Sequence, residues 1–135
     1  MLHLCNCNIV YVNLYHQPKT THMHEMSIVL GIVKIAETEA VKAGVERFAA
    51  IDLEIGNLAG VEWEALDFAW QAAVAGSVLE QAEKRVHKIQ AKGQCADCDH
   101  IYEVFHIHDN CPKCGSFMKA ILQGKELRLK SLDTF

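Results

Sequence analysis

The residues best placed for chemistry are two C-x-x-C knuckles, Cys95-Ala96-Asp97-Cys98 and Cys111-Pro112-Lys113-Cys114-Gly115. Their spacing lets four thiolates close tetrahedrally around one ion. An all-sulfur set with no open position suits structural zinc rather than catalytic zinc. The stretch from Asp99 to Asn110 is long enough to fold one knuckle back onto the other, and Asp109-Asn110 and the Pro112…Gly115 pair supply turn chemistry. A segment this small has little core, so the metal should contribute much of its folding energy. Two disulfides, or a redox-active C-x-x-C pair, are the other readings of the same four residues. His100, His106 and His108 lie on or near this segment. They read as surface histidines, except that His100, two residues past Cys98, is close enough in sequence to approach or tune the metal.

A second segment, Met23-His24-Glu25-Met26-Ser27, opens a helical pattern. A lone histidine before a helix is ordinarily a surface residue. Its chemistry becomes particular if Met23 is the true first residue. The terminal amine, the His24 backbone nitrogen and the His24 imidazole then close adjoining five- and six-membered chelate rings. That donor set is planar and nitrogen-rich, a geometry that suits Ni(II) or Cu(II).

The elements around these residues follow from hydrophobic periodicity. Met26, Val29, Leu30, Val33, Ala36 and Ala40 recur at helical spacing, and Gly44 closes that helix. Ile51, Leu53 and Ile55 alternate with Asp52 and Glu54, as in a half-buried strand, and Gly56 to Gly60 forms a turn. A second helix is expected from about Glu62 to Ala75, burying Ala65, Phe68, Ala69, Ala72 and Ala73. Residues 85–93 favour another strand, and a last strand passes through Leu127, Leu129 and Leu132. The fold class is therefore α+β: two helices packed on a small three-stranded sheet, with an inserted zinc-ribbon-like four-cysteine subdomain. Residues 1–22 differ in composition and are expected to be a flexible extension, or to precede the true start at Met23; a short strand around Ile9 to Leu14 is compatible with the pattern.

The composition excludes several functions. A net charge of −4, from 13 Lys+Arg against 17 Asp+Glu, and 7% aromatics make a poor nucleic-acid footprint. No apolar run approaches the roughly 18–20 residues that span a bilayer. The opening residues have no basic start, and Asn6, Asn8 and Asn13 interrupt the apolar stretch, so a cytoplasmic setting with reduced thiols is expected. No complete catalytic set stands out, which points away from an enzyme. The competing function for a double knuckle is an adaptor module that binds nucleic acid or another protein.

Met-His-Glu-x-Ser, the stretch Ile51-Asp52-Leu53-Glu54-Ile55-Gly56, the two knuckles and the ending Gly124-Lys125-Glu126-Leu127 follow one another in an order similar to the HypA/HybF family of hydrogenase maturation factors. The similarity covers residues 23–135. It implies a nickel metallochaperone with Ni2+ as cargo, in which His24 is the nickel ligand, Glu25 assists it, and Cys95, Cys98, Cys111 and Cys114 hold a structural Zn2+. The implied nickel-binding α+β domain comprises residues 23–92 and 119–135, and the zinc-binding subdomain residues 93–118. The implied partners are a hydrogenase maturation GTPase, the [NiFe]-hydrogenase large subunit and, for some members, the urease maturation proteins. The chain has no G-x-x-x-x-G-K-[ST] phosphate loop, so nucleotide hydrolysis would belong to the partner. The family's Met-His begins the protein, whereas 22 residues precede it here; if they are translated, the chelate loses its amine.

Overall fold

The computed structural model describes residues 8–13 and 25–135. Its elements are β1 (Asn8–Asn13), α1 (Glu25–Ala43), β2 (Ala50–Gly56), α2 (Trp63–Val74), β3 (Glu83–Ile89), β4 (Lys92–Cys95), β5 (Ile101–Glu103), β6 (Lys119–Gln123) and β7 (Leu127–Asp133). The strands form two sheets. The larger has the order β1-β7-β2-β3 and the smaller β5-β4-β6. The three strands expected around Ile51, Arg85 and Leu129 are the adjacent β2, β3 and β7, and β1 adds a fourth at the free edge of β7. Met23 and His24 lie outside the described residues, as do His3, Cys5, Cys7, His16 and His22.

Strand β2 runs parallel to β3, and α2 supplies the crossover that a parallel pair requires. On its other side β2 pairs antiparallel with β7. Both helices bury their apolar stripes on this sheet. Val29, Ile32, Ala36 and Ala40 of α1, and Leu66, Ala69, Trp70 and Val74 of α2, join Ile51, Leu53, Ile55, Leu127, Leu129 and Leu132 in one core. The end of α1 follows the expected glycine stop. Gly44 adopts φ 67°, Val45 N–H donates to Ala40 O at 3.0 Å and Gly44 N–H to Val41 O at 3.2 Å, which together satisfy the last carbonyls.

Four local expectations are corrected, one of them at β2, where Asp52 and Glu54 are buried although a half-buried strand was expected. The buried face of α2 is Leu66, Ala69, Trp70 and Val74, while Phe68 is 76% exposed. Alanines at several turns make two helical stripes equally periodic, and the larger Leu66 and Trp70 decide which one packs. Met26 and Leu30 of α1 are likewise exposed, and Ile32 takes the core position. The single strand expected over 85–93 is broken at Gln90–Ala91, so β3 and β4 enter different sheets.

Strand β2 is central, and all seven of its residues are buried, Asp52 and Glu54 included. Those carboxylates are accommodated by partners from both neighbouring strands. Asp52 accepts a hydrogen bond from Ser131 Oγ at 2.9 Å, and its other oxygen lies 2.8 Å from His87 Nε2. Glu54 accepts from Arg128 Nε at 2.7 Å. Burial works against the Asp52 carboxylate, but the bonds from His87 and Ser131 and the Arg85 charge outweigh it and hold its pKa below the ordinary aspartate value.

Candidate metal centre

The two knuckles are built alike. In the first, Cys95 N–H donates to His100 O at 2.9 Å, Asp99 N–H donates to Cys95 O at 3.0 Å, and Asp97 N–H points at Cys95 Sγ, 3.4 Å away. In the second, Cys111 N–H donates to Ser116 O at 2.8 Å, Gly115 N–H to Cys111 O at 2.8 Å, and Lys113 N–H lies 3.4 Å from Cys111 Sγ. Each turn closes with a residue in the left-handed region directly after its second cysteine, Asp99 at φ 63° and Gly115 at φ 78°. Glycine accepts that conformation without strain and aspartate tolerates it, so both sequences can make the reversal that brings two thiols of one knuckle to the same side.

Strand pairing then faces one knuckle with the other. Strand β4, which ends in Cys95, lies between β5 and β6, with Cys95 in register with Lys119. Ala96 N–H donates to Met118 O at 2.9 Å and joins the first knuckle to the segment leaving the second. Cys95 Sγ stands 3.5 Å from Cys114 Sγ, and Cys98 Sγ 3.6 Å from Cys111 Sγ. All four sulfurs lie within 4.8 Å of one another. A regular tetrahedron with zinc–sulfur bonds of about 2.3 Å has sulfur–sulfur edges of about 3.8 Å. The four cysteines are free thiols, with sulfurs well beyond the roughly 2.05 Å of a disulfide bond. Donor type, number and spacing therefore fit a closed thiolate site for one metal ion, and Cys95, Cys98, Cys111 and Cys114 are the residues that would hold it.

The electrostatics lead to the same conclusion. Burial opposes the Cys111 thiolate, yet N–H groups of Cys114 and Lys113 outweigh it and bring the thiol down to about 7. At Cys114 the Ser116 N–H favours ionisation, but Cys95, burial and the other thiols prevail and push it up to about 12. Cys98 is also raised: the backbone at His100 favours its thiolate, and burial and Cys111 outweigh that. Four adjacent sulfurs cannot all be anionic without a cation between them, whereas a divalent ion makes the full set of thiolates favourable.

Beneath the sulfurs lies a core of Ala91, Cys95, Tyr102, Val104 and Cys111, with Leu58, Cys98 and Ile121 packed against it. The His100 ring faces Tyr102 at 6.2 Å, nearly parallel, and the metal-ligand group among the described residues contains the four cysteines without His100. His106 and His108 are exposed. The Asp109-Asn110 turn signal has a structural counterpart. Asp109 Oδ2 accepts from Phe105 N–H at 2.8 Å and His106 N–H at 3.1 Å, and these bonds hold its pKa below the usual carboxylate value. Sequence reasoning missed the places of Tyr102 and Leu58 in this core and that of Asn57, whose Oδ1 accepts from Ala91 N–H at 2.6 Å; Leu58 and Asn57 precede the insert by more than thirty residues and no local pattern links them to it.

The second expected site is described at Glu25 alone. Glu25 occupies the first turn of α1, and its Oε1 accepts a hydrogen bond from Glu62 N–H at 3.2 Å. Glu62 is the N-cap of α2, so this bond ties the starts of the two helices together.

Comparison with known proteins extends the resemblance over nearly all of the chain after its first 22 residues. The family described as hydrogenase/urease nickel incorporation, metallochaperone, HypA matches residues 23–134. A hydrogenase maturation factor HypA of Parabacteroides distasonis is 44% identical over 110 residues, 82% of this chain and 96% of that protein. One from Chlorobium luteolum is 39% identical over 110 residues, 82% of this chain and 94% of its own. The solution structure of the Ni metallochaperone HypA from Helicobacter pylori superposes with a TM-score of 0.59 at 26% identity, covering 84% of this chain and 98% of that one.

Proposed function

Since the chain belongs to the HypA family of nickel-incorporation metallochaperones and hydrogenase maturation factors, we propose that it binds Ni(II) at the start of α1 and delivers it, with a partner GTPase, to the large subunit of a [NiFe]-hydrogenase in the cytoplasm. Urease maturation proteins are a second destination of the same kind. The family assignment over residues 23–134 carries this reading. In it nickel is cargo, with His24 as its principal ligand and Glu25 as its helper. Zinc is resident and structural, on Cys95, Cys98, Cys111 and Cys114.

The two metals are kept apart by chemistry. Four thiolates with no open position retain a tetrahedral ion and offer no vacant place for exchange. In a chain beginning at Met23, the amine, amide and imidazole nitrogens would leave one position open, which release to an acceptor requires, and their planar preference would select Ni(II) over Zn(II). Glu25 supports the nickel set through position. Its carboxylate holds the α2 start through Glu62 N–H, which fixes the first turn of α1 directly after His24.

The test is His24→Ala. High-affinity nickel binding, followed by calorimetry, should disappear while zinc stays at one ion per chain and the far-ultraviolet circular dichroism is unchanged. Unaltered nickel affinity would move the ligands elsewhere, with His3, His16 and His22 the next residues to replace.

A further inference from the structure

The cysteine unit, residues 91–123, joins the larger sheet through two chain crossings, one between β3 and β4 and one between β6 and β7. Two single-chain crossings leave a hinge unless something braces them. Here a third segment reaches across. Strand β2 ends at Gly56, and Asn57 directly after it binds both sides of the gap. Asn57 N–H donates to Ile89 O at 3.1 Å, at the end of β3. Its side-chain Oδ1 accepts from Ala91 N–H at 2.6 Å, and its Nδ2 donates to Val104 O at 3.0 Å. Ala91 and Val104 both belong to the small core beneath the sulfurs. The next residue, Leu58, donates its N–H to Gly124 O at 2.8 Å and packs its side chain against that same core.

The joint is also tight. A Cβ on Gly56 would overlap the backbone of Gly124, and a Cβ on Gly124 would overlap Ala91. Gln123 Nε2 donates to Gln90 O at 2.8 Å and ties the two crossings to each other. The Asn57 amide joins the end of β2 to two points of the cysteine unit, one on the β4 approach and one just past β5, and from the end of β3 Gln90 Nε2 adds a second bond to Val104 O at 3.1 Å.

We propose that the Asn57 side chain is an orienting lock: its amide fixes the cysteine unit at one angle to the larger sheet, so that the two move as a single body. An asparagine suits this place because the lock needs an acceptor and a donor on one short, planar group, the acceptor for Ala91 N–H and the donor for Val104 O. Both partners are backbone groups, so the lock is insensitive to which side chains line the joint.

The experiment uses the full chain with zinc bound and three variants, Asn57→Ala, Asn57→Leu and Asn57→Asp. Backbone nitrogen relaxation gives separate rotational correlation times for the cysteine unit and the sheet, and amide exchange reads the Ala91 N–H. Wild type should show one common correlation time. Asn57→Ala and Asn57→Leu should give a shorter time for the cysteine unit and faster Ala91 exchange, by about tenfold, the size expected for losing one partly exposed hydrogen bond. Asn57→Leu separates the amide from its volume. Asn57→Asp keeps the acceptor and loses the donor, so Ala91 should stay protected while the correlation times still diverge. Zinc content and the exchange of β2 amides should not change. A common correlation time in all three variants would overturn the proposal and assign the orientation to the glycine packing and the crossings. Loss of zinc from Asn57→Leu would also overturn it, since the residue would then support the knuckle fold itself.

Discussion

Loading the four-cysteine site should release a specific number of protons, and that number follows from the geometry. Without metal at pH 7, Cys111 sits at about 7 and is half ionised. Cys114 at about 12 and Cys98, raised above its ordinary value, keep their protons. A closed tetrahedral site binds thiolates, so those protons must leave as the metal enters. Cys111 gives up about half a proton and Cys98 and Cys114 about one each, roughly two and a half from these three groups at pH 7, with any contribution of Cys95 on top.

Zinc titration by calorimetry in two buffers of different ionisation enthalpy measures this count directly. Raising the pH from 7 to 8 should lower it, because Cys111 becomes almost fully ionised before zinc arrives. Cys114→Ser should lower it by about one at pH 7, because a serine hydroxyl brings no ionisable proton to the site. A wild-type release well under two protons would refute the reasoning. It would mean that fewer than four sulfurs bind as thiolates, or that the metal-free cluster is already largely ionised.

Three further outcomes test other parts of the molecule. Leu129→Ala, at a position fully buried between the helices and the sheet, should destabilise the larger unit by about 2–5 kcal/mol in urea unfolding while zinc stays bound; a change under about half a kilocalorie would show that the site collapses around the deletion. Asp52 has a lowered folded-state pKa, so its stabilisation is present above the ordinary aspartate value and is lost as the pH falls through the folded one. The stability gap between wild type and Asp52→Asn should therefore be widest near neutrality and close below about pH 4, and a gap independent of pH would contradict the assigned partners. A chain beginning at Met23 should bind nickel more tightly than the 135-residue chain, as a yellow, diamagnetic, four-coordinate species, because a free amine completes the planar chelate; equal affinity with the same spectrum would place ligands among Cys5, Cys7 and His22.

What the sequence revealed depended on how local each signal was. The cysteine cluster was legible because its four ligands come from two turns whose spacing is fixed by the metal's own geometry, and the structure gathers those same four sulfurs. The glycine stop of α1 was equally local. The face of α2 was not, because a run rich in alanine gives a weak stripe, and packing volume at Leu66 and Trp70 decides between registers. The break at Gln90–Ala91 was invisible for a different reason. Residues 85–93 contain no proline or turn dipeptide, and at the break Ala91 N–H bonds the side chain of Asn57, more than thirty positions earlier. Strand β2 misled through its alternation: Asp52 and Glu54 mark an exposed face in an edge strand, but here Ser131, His87 and Arg128 from both neighbours cover them.

The two sheets rest on different sources of stability, and this follows from their cores. Beneath the helices seventeen buried residues among those described form one apolar cluster. Around the sulfurs the buried set is five residues, two of them cysteines. Such a core offsets less of the backbone ordering, roughly 1–2 kcal/mol per residue, so metal coordination would add much more to the stability of this unit than to the other. Chelation should therefore lower the unfolding midpoint of β4, β5 and β6 well below that of β2, β3, β7 and both helices. The joint at Asn57 marks the physical border between the two regimes: on one side order comes from burial, and on the other it would come largely from four bonds to an ion.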